Sequence, residues 1–177
     1  LYCDCYLGST SRMPIVRLMP RGSIKRCPLL KNRKCMIHDA KPAVCAMFPL
    51  GRAIRIDKKD AEKDKLPPMK VEYIINDIDC GDNSETHTVK GWLESFGIPL
   101  NDEYFIEWQK TISLLSPRIQ KLEKMLSDEV CDKLIDVLFI KLYLDYDMKA
   151  DFFPRFVENA GDCVKMVKMV LALPNEE

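Results

Sequence analysis

Residues 27–52 read CPLLKNRKCMIHDAKPAVCAMFPLGR. Three cysteines, Cys27, Cys35 and Cys45, are spaced through this stretch, and three prolines interrupt it at 28, 42 and 49. A proline fixes its own φ and restricts the residue before it, so neither a long helix nor a long strand fits here. Lys34–His38 is short and compatible with a strand. Residues 40–48 suit one or two helical turns, with Asp39 as cap, Pro42 in the first turn and Pro49 as the stop. The pattern predicts a small module of strands and turns.

Working outward, the upstream residues 13–19 read as a strand that opens on Pro14, and Arg21-Gly22-Ser23 as a turn. Downstream, residues 52–56 and 71–75 have strand character. Between them lies DKKDAEKDKLPP, residues 57–68, whose alternating charges and closing prolines mark a solvated excursion. From Thr88 the period changes to helical. A short helix over 88–96 ends at Gly97. Asn101 is expected to cap the next, with Phe105, Trp108, Ile112 and Leu115 as its apolar stripe. Pro117 is expected to break or restart it, with Ile119, Leu122 and Leu126 continuing the face. Another helix starts at Ser127-Asp128-Glu129 and runs to Leu144, with Val130, Leu134, Val137, Leu138 and Leu142 inward. Asp151 opens the last, with Phe156, Val157, Ala160, Val164, Val167, Val170 and Leu171 on one face. The fold class is therefore α+β: a small, irregular, cysteine-rich strand-and-turn module over 1–97, followed by an α-helical part over 98–177.

The 177 residues carry equal numbers of acidic and basic side chains, but not evenly. Residues 1–56 hold eleven Lys and Arg against Asp4 and Asp39, a local charge of +9, and the remainder carries −9. A cationic module suits anionic thiolates, because nearby cations lower thiol pKa values. Lys25, Arg26, Arg33, Lys34, Lys41 and Arg52 all lie close in sequence to Cys27, Cys35 or Cys45. The same charge would suit nucleic acid, but the cationic-shell reading is preferred and no nucleic-acid partner is expected. The longest uncharged apolar runs are short, so no membrane-spanning helix is expected. With no secretory signal visible, a cytoplasmic location is expected, where eight cysteines are metal ligands, redox groups or small core residues rather than disulfides.

The spacings C-x7-C and C-x9-C are not those of zinc fingers. In order, however, the stretch gives Cys27 with Leu30, Cys35 with Ile37 and His38, Lys41-Pro42, Cys45, and Phe48-Pro49. Cys80-Gly81 and then Thr88-Val89-Lys90-Gly91-Trp92-Leu93 follow. This series resembles the YkgJ-type cysteine-cluster family of zinc- or iron-chelating domains, over roughly residues 1–97. The family's name-giving C-x-x-C-x-x-C-C element does not occur in the 177 residues; the expectation is that it precedes Leu1 and is missing from this chain.

The resemblance implies Cys27, Cys35, Cys45 and Cys80 as metal ligands. The group they hold is Zn or Fe, the latter including an iron–sulfur cluster, because thiolates suit both. A protein partner is a further expectation. His38, read as lying on the Cys35 side of a strand, is a secondary ligand candidate. His87 is read as a solvated loop residue. Cys3 and Cys5, read as pointing to opposite faces of an extended segment, are minor candidates, and Cys131 and Cys163 are read as buried helix residues.

The function expected is metal chelation. The alternative is protein modification, because the cluster is similar to that of flagellin lysine N-methylases, although no S-adenosylmethionine site is recognisable. Phosphate-binding glycine loops, H-E-x-x-H and G-x-S-x-G are absent from the sequence, so nucleotide-dependent and hydrolytic readings have no positive support.

Overall fold

The structure, a computed structural model, describes residues 2–56, 68–77 and 84–173. Cys80 and most of the charged segment 57–68 lie outside the described residues. The chain is α+β. Three antiparallel pairs form from β1 (Cys3–Leu7) with β2 (Pro14–Leu18), β3 (Leu30–Lys31) with β4 (Lys34–Cys35), and β5 (Leu50–Ile56) with β6 (Met69–Ile75). Helix α1 (Ala43–Met47) precedes β5. After β6 come α2 (Val89–Glu94), α3 (Glu103–Leu122), α4 (Asp128–Phe139) and α5 (Phe152–Ala172).

Two compact units emerge, one of residues 1–28 with 107–177 and one of residues 29–106. This differs from the expected division at residue 97, and Met13 explains why. Met13 is fully buried with Leu115, Ile119, Leu122, Leu138 and Phe156, so the β1–β2 hairpin shares the helices' core. Polar contacts support the same packing. Gln120 Nε2 donates to the Thr10 carbonyl at 2.8 Å and the Tyr143 hydroxyl to the Pro14 carbonyl at 2.8 Å. Arg12 pairs with Glu123 at 2.6 Å. At Gly8 in the hairpin turn, a Cβ would come within 2.4 Å of Ser11 Oγ and 2.8 Å of Ile15 Cδ1, so a larger residue there would displace those side chains.

The helical faces follow their period. Leu134, Leu138 and Leu142 are buried from one helical run, and Phe156, Ala160 and Val167 from α5. Val130, Val137 and Val157, expected inward, are exposed instead. Each lies at the margin of its apolar stripe, where one hairpin and three helices do not close the surface over it. Pro117 does not break α3, which runs unbroken from Glu103 to Leu122. Proline disfavours a helix interior by about 3 kcal/mol, and burial of Leu115, Ile119 and Leu122 on either side offsets that cost. The α3 cap is Asp102, whose Oδ1 accepts from the Phe105 amide at 3.2 Å, rather than Asn101. Beyond α4, residues Ile140–Leu144 form a π-helical turn. Buried Asn159 stabilises it, its Nδ2 donating to the Lys141 and Asp145 carbonyls at 2.9 and 3.0 Å.

Met13 anchors the hairpin to the helical core, so Met13→Ala is expected to cost about 2–5 kcal/mol. Urea unfolding followed by circular dichroism measures it, with the helical signal shifting as a whole. A loss under about 1 kcal/mol would mean that the hairpin contributes little to this core.

Candidate metal-binding cysteines

The second unit carries Cys35 and Cys45 on two short elements. Cys35 closes the β3–β4 hairpin opposite Leu30. The connecting residues Asn32 and Arg33 have φ of 50° and 62°, the left-handed pair that a two-residue type I′ turn needs. The strand ends at Cys35, and His38 enters a 3-10 turn (His38–Ala40) three residues further on. The expected strand placement of His38 beside Cys35 therefore does not hold. His38 is exposed, at the rim of a shallow cavity of about 350 Å³ shared with Asp39, Lys41 and Phe96.

Cys45 sits in α1, whose N-cap is Pro42 rather than Asp39. The Pro42 carbonyl accepts from the Cys45 and Ala46 amides at 2.8 and 3.0 Å. Five residues do not make a stable helix alone. α1 is held because Ala46 and Met47 are buried with Leu93 and Ile98, and because Trp92 Nε1 donates to the Met47 carbonyl at 3.2 Å. Trp92 and Leu93 are positioned in turn by α2. The Thr88 hydroxyl caps it by accepting from the Gly91 amide at 3.0 Å, and Gly97, at φ 67°, ends it. With Ala46 and Met47 facing the core, Cys45 and Val44 are left exposed.

Cys27 belongs to the first unit and is exposed; Cys35 is half-buried. Cys80 lies outside the described residues. Among the described residues, no three His, Cys, Asp or Glu side chains gather into a group that could hold a metal ion. Two of the cations expected around thiolates have other partners. Arg52 is largely buried, pairs with Asp102 at 2.5 Å and lies 4.2 Å above the Phe105 ring. Lys41 lies 5.4 Å from the Phe96 ring centre. Lys31, Arg33 and Lys34 are exposed on the β3–β4 hairpin. His87 is exposed, as expected of a loop residue, with Glu85 at 3.1 Å and the Trp92 ring 5.3 Å away.

The helical cysteines differ in kind. Cys163 is buried in the helical core, and burial pushes its thiol up to about 11. Cys131 is half-buried, and its thiol is raised by burial first and then by Glu123, Asp128 and Asp132. Both stay protonated at neutral pH, and a protonated thiol is a poor ligand and a poor nucleophile. Cys3 and Cys5, expected on opposite faces, share one: they lie two residues apart in β1, and the pleat repeats every two residues.

No protein-family model, no curated protein and no solved structure matches this chain. Among the described residues, no helix is long and apolar enough to cross a membrane.

Two populations of cysteine imply two rates of alkylation. With chelator present at pH 7.5, iodoacetamide is expected to modify Cys27 and Cys45 first and Cys163 last. The raised pKa alone leaves Cys163 with about a hundredfold less thiolate than an ordinary cysteine. Because its thiol is held protonated, Cys163 labelling should keep accelerating as pH rises toward 10. Peptide mapping by mass spectrometry gives the order, and early labelling of Cys163 would refute the division.

Proposed function

We propose that this protein chelates a thiophilic metal, Zn or an iron centre, through Cys35 and Cys45 together with Cys27 and Cys80. One observation carries this reading. The two motif cysteines of the second unit stand on short elements, Cys35 at the end of a hairpin and Cys45 on a turn held by burial of Ala46 and Met47, and neither belongs to the core. A fully buried cysteine serves packing, whereas Cys35 and Cys45 lie outside the core clusters. The ordered series of Cys27, Cys35, Lys41-Pro42, Cys45 and Phe48-Pro49 supports the reading independently, through its resemblance to zinc- and iron-chelating cysteine clusters.

Cys35 and Cys45 alone do not complete a site. A structural Zn needs four ligands, and an iron–sulfur cluster needs a comparable set. The sequence resemblance implies Cys27 and Cys80 as the remaining thiolates. When bound, the metal would tie the short elements of the second unit together, because metal binding by such segments is itself folding free energy. The chain's own contribution is to hold Cys35 at a hairpin base and Cys45 on an anchored helical turn. The proposal places the protein in a reducing compartment such as the cytoplasm, where these thiols persist.

The test is metal content after preparation under argon. Wild-type protein is expected to carry close to stoichiometric Zn or Fe. Cys35→Ser and Cys45→Ser should each lose most of it and lower thermal stability, while Cys131→Ala retains it and costs about 1 kcal/mol. Metal below a tenth of an equivalent in the wild type, or equal loss in Cys131→Ala, would overturn the proposal.

A further inference from the structure

β1 presents Cys3 and Cys5 in a way the metal proposal does not use. Both are exposed, and both lie on the same face of the strand. The register sets what surrounds them. Cys3 pairs with Leu18 and Cys5 with Val16, so the cross-strand neighbours on that face are aliphatic. The intervening Asp4 points the other way and pairs there with Arg17 at 3.1 Å, and Arg17 also covers the Tyr6 ring at 4.7 Å. The nearest carboxylate along the strand is therefore on the opposite face from the two sulfurs.

We infer that Cys3 and Cys5 form a two-thiolate site for a single soft, two-coordinate ion, a monovalent d10 cation such as Cu(I). Residues two apart in a strand are separated by about 6.7 Å. Two thiolates on one ion, each at a bond length near 2.3 Å, place their sulfurs about 4.6 Å apart. The difference needs each Cβ–Sγ arm to lean inward by about 1 Å, which side-chain rotation supplies without moving the backbone. A disulfide is a different matter, since it requires the two Cβ atoms to come within about 4.5 Å. The pleat holds them farther apart. The strand therefore keeps the pair as a dithiol while leaving it able to share an ion.

The donor set selects among ions. Zn takes four ligands, and no group of three donors gathers among the described residues. Ca and Mg take oxygen ligands, and the neighbours here are Val16 and Leu18. Thiolate pairs in soft surroundings favour Cu(I). Binding releases one proton from each thiol and leaves the ion's oxidation state unchanged, so no oxidant or reductant is consumed.

The test uses the whole chain, without oxygen, competing for Cu(I) against a chromophoric copper(I) chelator. Wild-type protein is expected to withdraw one equivalent more than Cys3→Ser and one more than Cys5→Ser. Asp4→Asn should retain that equivalent, because its side chain is on the other face. A Cys35→Ser, Cys45→Ser double variant should also retain it, so failure of the proposed Zn or iron site leaves this result unaffected. A second probe locates the pair directly. One equivalent of phenylarsine oxide condenses with two thiols, forming two As–S bonds and releasing water. Trypsin cleaves after Arg12, and the peptide 1–12 contains Cys3 and Cys5 as its only cysteines. The bridged arsenical is expected on that peptide. Equal copper uptake by wild type and Cys5→Ser, or an arsenical bridge elsewhere in the chain, would overturn the inference. Loss of the equivalent in one serine variant but not the other would overturn it too.

Discussion

The hydrogen bond from the Trp92 indole to the Met47 carbonyl, with the burial of Met47 behind it, holds α1 and so places Cys45. α1 is a single helical turn with prolines at 42 and 49, and such a turn has no stability of its own. Its one apolar side, Ala46 and Met47, must be covered, and Leu93 and Ile98 cover it. That choice of inward face decides which residues face out. Cys45 is exposed because Ala46 and Met47 are not. The same α2 that supplies Trp92 and Leu93 needs Thr88 to start it and Gly97 to stop it. A run of local rules thus ends in the placement of one thiol.

The second buried constraint in that unit is electrostatic. Arg52 on β5 sits between the Asp102 carboxylate and the Phe105 ring, and Tyr73 on β6 donates to the Leu100 carbonyl at 3.0 Å. Burial raises the Tyr73 phenol, so it remains a donor at neutral pH. Removing one partner of a buried pair is far more costly than the pair's net contribution, so Arg52 and Asp102 specify the geometry more than they stabilise it. Their engagement also removes Arg52 from the cationic shell that the sequence suggests around the thiols.

Much of the fold was legible in the sequence because it rests on period and punctuation. Thr88 and Gly97 bound α2, Asp151 opens α5, and the leucines at 134, 138 and 142 are inward as their spacing requires. The strand at Pro14–Leu18 was legible, but its partner β1 was not, since Cys3–Leu7 lacks the valines and isoleucines that mark strands. The unit boundary was hidden because it depends on where one side chain, Met13, is buried. Pro117 misled because a proline's local penalty says nothing about the core contacts that outweigh it. Cys163 is buried, as its place on an apolar helical face suggests, whereas Cys131, read the same way, is only half-buried. The shared face of Cys3 and Cys5 follows from strand period alone, once β1 is known to be a strand. His38 was misplaced because β4 stops at Cys35, where the chain turns into a 3-10 segment.

The proposed function rests on metal coordination by sulfur of the motif cysteines. X-ray absorption at the edge of whichever metal the protein carries after anaerobic purification tests it most directly. The expected spectrum shows sulfur neighbours at about 2.3 Å that are lost in Cys45→Ser. A shell of nitrogen and oxygen only, unchanged by that substitution, would contradict it.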